Sequence, residues 1–307
     1  MENTEKVGLV CSNEDFIEFF IDIISNSPKF TLKALWCPDT ERSIQLAADK
    51  DVPSVSHTAF QLISRTDTET IIIAAHPYQA DIFCAQAIAL HKNVICINAS
   101  LLTIHHARLL SELSAKCNSS FVTIYALRHS PPFIALKKNL GLVGRVSFID
   151  VTSSFIVASV NSERLRNDSV VTLHKQSHAI IDVLSFISDC VPCKISTTLR
   201  EKSTIIDHFR LKQLETAVIQ LSFGNIIANI RITCSDHRSL SLIVYGDEST
   251  FYFNENCLVC KNNESTTVIW QNANGIQKVY EDGLRYALSA PMLSSSLDEL
   301  SILKCLS

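Results

Sequence analysis

The sequence predicts an α/β chain with two parts. A parallel sheet domain wound with helices covers residues 1–122. An α+β domain with a large, mostly antiparallel open sheet covers 123–307. Three observations carry this. Up to about Tyr125, short apolar strands alternate with helical stretches. Beyond that point, segments of β-branched alternation follow one another with one long helix among them. The 307 residues, 47% of them hydrophobic, are enough for two cores.

The first strand is Val7–Cys11, and Asp15–Ile24 follows as a helix with apolar residues at Phe16, Phe19, Phe20 and Ile23. Thr31–Trp36 is the second strand. Asp39 or Thr40 can cap the helix that carries Ile44, Leu46 and Ala47. A short strand near Val55, a helix at Ala59–Ser64 and the buried-type strand Thr70–Ala75 come next. Helix Ala80–His91, strand Asn93–Ile97, helix Leu101–Lys116 and strand Ser120–Tyr125 complete the first part. Strands so spaced imply right-handed crossovers and a parallel sheet covered on both faces.

The second part opens with a long strand, Arg145–Val157, and a helix from about Leu173 to Ile187. Strands are expected at Lys194–Leu199, Thr216–Phe223, Ile226–Cys234, Ser239–Tyr245, Thr250–Phe253 and Thr266–Trp270, with a hairpin turn at Phe223-Gly224-Asn225.

Composition excludes several classes of function. A net charge of −4 without a Lys/Arg run gives no basis for nucleic-acid or membrane-surface binding. The N-terminus is too polar for a signal peptide, and no apolar run approaches the ~18 residues of a membrane span. Of the eleven cysteines, Cys84, Cys96, Cys117 and Cys234 lie in apolar runs, as small buried hydrophobes do. Reduced thiols in the cytoplasm are expected. Seven glycines in the whole chain are few for an enzyme that folds its backbone around a dinucleotide.

The strand–turn–helix at Val7–Phe16 is where a parallel sheet of this kind would hold a pyrophosphate, on glycines and on the open N–H groups of the helix start. Here the turn reads Cys11-Ser12-Asn13-Glu14-Asp15-Phe16. Ser12 and Asp15 have the spacing of a capping box, and acidic groups suit a helix N-terminus by ~0.3–1 kcal/mol. The expectation is a helix start that caps itself and holds no phosphate.

Leu32-Lys33-Ala34-Leu35-Trp36, Asn93-Val94-Ile95-Cys96, Leu127-Arg128 with Pro132-Phe133, Val143-Gly144, and Ile180-Ile181-Asp182-Val183-Leu184 form an ordered set along the chain. In this order the sequence resembles the Gfo/Idh/MocA oxidoreductase family, and more narrowly the glucose–fructose oxidoreductase domain-containing proteins. The resemblance implies a Rossmann domain, a sheet domain that often builds dimers, and a nicotinamide cofactor between them. It implies activity on sugars, inositols and related alcohols.

Three places depart from the family pattern. The fingerprint glycines fall on Cys11, Asn13 and Phe16; side chains there would block a pyrophosphate, and Phe16 would push the helix off the sheet. Asn98 takes the position of the lysine that positions nicotinamide and substrate, and an amide offers no titrating proton. Lys175 and Ala179 take the positions of the acid and the catalytic histidine, with His178 one residue away as the reserve candidate. Trp36 and Pro77 would contribute if cofactor binding persists. Together these departures predict a pseudoenzyme that works as a binding, scaffold or regulatory protein, with no cofactor. The alternative is an NAD(P)-dependent oxidoreductase with a rearranged site using His178 or Lys175.

Other constellations are weaker. His174 and His178, four apart on one helical face, suit a metal or an acid–base pair but lack a third ligand, so no metal is expected. Cys190-Val191-Pro192-Cys193 and Cys257-Leu258-Val259-Cys260 have C-x-x-C spacing without the glycine of a zinc knuckle and read as thiols. Arg128 and His129 follow a strand and, with His174, are the candidates for an anionic or sugar-like ligand in the cleft, against a structural ion pair. A homodimer through the second sheet is expected. A protein partner would follow from the scaffold reading.

Overall fold

The computed structural model describes residues 4–12, 16–97, 104–156, 169–206, 209–272 and 274–289. The chain divides into two compact units. One runs to Tyr125 and takes in the end of the last helix from Leu284; the other runs from Ala126 to Gly283.

The first unit is built on a five-stranded parallel sheet: β1 (Glu5–Cys11), β2 (Phe30–Trp36), β3 (Thr70–Ala74), β4 (Asn93–Ile97) and β5 (Phe121–Ile124). Their order is β2-β1-β3-β4-β5. Val55 adds a single parallel bridge to Leu35 on the outer side of β2, so the expected short strand is one residue wide. Counting it, the sheet has the six-strand order of a dinucleotide-binding domain, reversing direction between β1 and β3. All five residues of β3 are buried, because helices cover both faces of the sheet.

Five helices link the strands: α1 (Ile17–Ser25), α2 (Thr40–Asp49), α3 (Ala59–Ile63), α4 (Pro77–Ala89) and α5 (Ile104–Cys117). Asp39 caps α2 by accepting from the Arg42 N–H at 2.9 Å, and Thr58 caps α3 through Gln61 N–H at 3.0 Å. Gly8 lies beneath α3; a Cβ there would stand 2.7 Å from Leu62 Cδ2, so glycine lets this helix sit close on β1.

The second unit carries an eight-stranded sheet in the order β13-β12-β11-β10-β6-β9-β8-β7. Its strands are β6 (Val146–Phe155), β7 (Lys194–Ile206), β8 (Phe209–Phe223), β9 (Ile226–Cys234), β10 (Ser239–Gly246), β11 (Thr250–Phe253), β12 (Cys257–Lys261) and β13 (Thr266–Gln271). Only β6 and β9 run parallel; the other neighbours are antiparallel. The β8–β9 hairpin turns at Gly224, which takes φ +61. Strict alternation along β6 and β9 gives one buried face and one open face.

α6 (Pro131–Lys138) and α7 (Ser169–Ser188) belong to this unit, and α8 (Gly275–Ser289) crosses the boundary between units at Gly283 and Leu284. β7 and β8 pair along their whole length, from Lys194–Ser222 to Ile206–Phe209. The ribbon therefore extends well past the ends expected at Leu199 and Thr216. No helix among the described residues is long and apolar enough to cross a membrane.

Candidate functional site

In a parallel sheet whose connections reverse direction, the crevice for a ligand lies outside the carboxyl ends of the strands at the reversal. Here that is the edge formed by Cys11 and Ser12 after β1 and by Ala75 and His76 after β3. The two strand ends are tied together twice. Ser12 N–H donates to Ala74 O at 3.1 Å, and Ser12 Oγ accepts the His76 N–H at 2.8 Å.

The Ser12 hydroxyl thus serves a residue 64 positions away. α1 begins at Ile17 with Phe16 as its N-cap, whose side chain makes no cap bond; the expected capping box pairs Ser12 with Asp15 and so cannot be followed in the described residues. Asn13, Glu14 and Asp15 lie outside the described residues. Phe16 does not displace the helix: it is half-buried and precedes the face that packs, which starts at Ile17 and continues through Phe20, Ile21, Ile23 and Ile24. Cys11 is fully buried as the last residue of β1, so its thiol takes a place in the core.

Trp36 ends β2 half-buried, edge-on to Phe83 of α4 at 5.7 Å between ring centroids. No carboxylate ends β2, and the nearest one downstream, Asp39, serves its own helix. Pro77 is the first residue of α4, where a missing N–H costs nothing; its side chain, like Asn98 as a whole, lies outside the described residues. The described part of the edge fits a dinucleotide in two respects: a helix starts directly after β1, and an aromatic surface stands at the end of β2.

The described candidates in the second unit lie on α7 and on the 3₁₀ turn Ala126–His129. Ser177, His178, Ala179 and Asp182 on α7 are all buried, His178 and Asp182 with no exposed surface. His178 is an internal histidine, which removes the reason for holding it in reserve as an acid–base group. The side chains of His174 and Lys175 lie outside the described residues.

Arg128, in the 3₁₀ turn Ala126–His129, forms an ion pair with Asp182, Nε to Oδ2 at 3.3 Å, and lies over the Phe186 ring at 5.5 Å. The alignment is too poor for a full hydrogen bond, so its contribution is Coulombic. Arg128 is the structural ion pair rather than the ligand group. Desolvation first, and the Arg128 charge second, lower the His129 imidazole from 6.5 to about 4, which leaves it neutral and unsuited to an anion.

His129 has a consequence for stability. Its folded pKa lies below its unfolded one, so unfolding takes up a proton between pH 6.5 and about 4. Stability is full above that window and falls on acidification through it, by about 1–2 kcal/mol after allowance for partial exposure. His129→Gln should flatten this slope in urea melts across the same pH range; an unchanged slope would place the titration elsewhere.

The described residues hold no group of three or more His, Cys, Asp and Glu arranged for a metal. Cys190 and Cys193 are exposed, whereas Cys257 is half-buried and Cys260 buried.

No protein-family model matches the sequence, and no curated protein matches it. Solved structures do. Biliverdin reductase from Synechocystis sp. PCC 6803, in complex with biliverdin and NADP+, superposes with a TM-score of 0.79 at 14% identity, over 98% of this chain and 96% of that one. An NAD binding oxidoreductase from Klebsiella pneumoniae gives 0.80 at 12% identity, over 99% and 95%. An oxidoreductase from Agrobacterium radiobacter, in complex with NAD+, L-tartaric acid and magnesium, gives 0.79 at 13%, over 99% and 94%. The chain thus has the two-sheet fold of NAD-binding oxidoreductases. More narrowly, the fold is that of the Gfo/Idh/MocA type.

Two expectations are corrected here. A non-catalytic scaffold and the absence of a cofactor were inferred from the missing glycines and from Asn98, Lys175 and Ala179 at the family's catalytic positions. The whole-chain likenesses are instead to oxidoreductases, two of them holding NADP+ or NAD+. Nothing in the fold points to a dead enzyme, and the nicotinamide alternative is the better supported.

Proposed function

We propose that the chain is an NAD(P)-dependent oxidoreductase acting on a sugar-like or related alcohol or carbonyl substrate. What supports this is the whole-chain fold shared with structures that hold NADP+ or NAD+, together with the described β1–β3 strand ends, where Ser12 Oγ accepts from the His76 N–H beside the start of α1. The first N–H groups of α1 would meet the cofactor's phosphates, as helix starts do for anions. Trp36 would offer a stacking surface for the adenosine end. Once bound, the cofactor supplies the hydride acceptor or donor.

NADPH or NADH titrated into the protein should quench Trp36 emission, and Trp36→Phe should remove most of that signal. Unchanged emission in both proteins would count against cofactor binding at this edge.

A second copy of the chain is the proposed partner. The open face of the eight-stranded sheet carries Val218, Ile227, Tyr245 and Tyr252, each more than a third exposed, with Phe148 packed 5.9 Å from Tyr245. An apolar surface of this kind favours an isologous dimer. Tyr245→Glu combined with Tyr252→Glu should halve the mass measured by sedimentation. A wild-type protein already at monomer mass would end the proposal.

A further inference from the structure

We propose that His76 is the acid–base residue of the reaction, a reading that rests on the function proposed above. The positions that carry this role in the resembling family are held here by Asn98 and Ala179, and His178 is fully buried. An alcohol–carbonyl interconversion still needs a group that takes up and returns the hydroxyl proton.

Among the described residues at the carboxyl ends of the five strands, Cys11, Cys37 and Tyr125 are buried to within 1%. His76 is the described imidazole there, and it is half-exposed. It stands at the strand reversal itself, two residues beyond the end of β3 and directly before α4.

Its backbone is held on both sides. The N–H donates to Ser12 Oγ at 2.8 Å, and the carbonyl accepts from Gln79 N–H at 2.8 Å and Ala80 N–H at 2.9 Å, the first bonds of α4. These bonds fix the Cα position from which the imidazole is carried, the first requirement for a positioned acid–base group. The Ser12 hydroxyl thereby anchors the backbone of the proposed proton carrier.

In the oxidising direction an imidazole nitrogen of His76 would take up the proton of the substrate O–H bond as the C=O bond forms, and a bound nicotinamide would supply the acceptor for the hydride that leaves carbon. In reduction His76 would return the same proton to the carbonyl oxygen.

The test uses the full chain with NADP+, NADPH, NAD+ and NADH as probes. The His76 ring C–H resonance, assigned by its loss in His76→Gln, should shift on cofactor binding and differ between oxidised and reduced forms. In assays with myo-inositol and D-glucose, His76→Gln should bind cofactor with unchanged affinity and lose about 10²–10⁴-fold in turnover. Cofactor binding that leaves the His76 resonance unmoved in both redox states overturns the inference while the oxidoreductase reading stands. Full turnover by His76→Gln does the same. Failure of all four cofactors to bind overturns both.

Discussion

Arg128→Ala is expected to destabilise the protein by about 3–5 kcal/mol, the cost of removing one member of a buried ion pair. The Asp182 carboxylate has no exposed surface, and Arg128, itself 15% exposed, is the cation at 3.3 Å. Desolvation of two charges costs several kcal/mol each, and the pair offsets this only while both members are present. The Phe186 ring at 5.5 Å adds a cation–π contribution that goes with the guanidinium. Replacing both residues by apolar ones, Arg128→Met with Asp182→Leu, should recover most of the loss in chemical denaturation. Equal destabilisation by the single and double variants would show that packing, rather than charge, dominates. A drop in activity on removing Arg128 would then follow from the fold and would not mark a ligand contact.

Gly283→Ala should destabilise by about 2–3 kcal/mol, the range for forced overpacking. In an exposed helix the same change would stabilise by about 1 kcal/mol, so the sign alone decides between the two situations. Gly283 lies inside α8, where an added Cβ would stand 2.1 Å from the Ala126 carbonyl oxygen and 3.2 Å from Ser130 Cβ. The oxygen belongs to the backbone of the turn that carries Arg128, so it cannot swing aside as a flexible side chain would. A higher melting temperature for Gly283→Ala would refute this packing.

The strands of the first unit were legible because buried parallel strands are short apolar runs separated by helices, as Thr70–Ala74 is. Asp39 as a cap and Gly224 as a turn were legible because their partners are close in sequence. α8 was not, since Gly275, Asn274 and Gly283 punctuate it, and its apolar residues Val279, Leu284, Ala287 and Leu288 are sparse. The outer half of the β7–β8 ribbon was missed because Arg200, Glu201 and Lys202 read as loop. In the ribbon Arg200 and Glu215, at 3.0 Å, and Glu201 and Lys212, at 3.1 Å, pair across the strands.

The candidate site was legible in its location, a strand–turn–helix at the sheet edge. Ser12 also bonds to His76, a long-range contact that no local pattern reports. The missing glycines were taken as a missing site, whereas the fold is shared with structures that hold NADP+ or NAD+. His76 itself carried a signal, a histidine at the end of a buried strand where the sheet reverses, which counted only once the strand order was known.

The measurement that tests this account most directly is a thermal melt of the full chain with and without saturating NADPH or NADH. Binding to the folded state alone should stabilise it by about 2.7 kcal/mol at a hundredfold excess over Kd, read as a concentration-dependent rise in Tm. A Tm unmoved by both cofactors, and by their oxidised forms, would contradict the account.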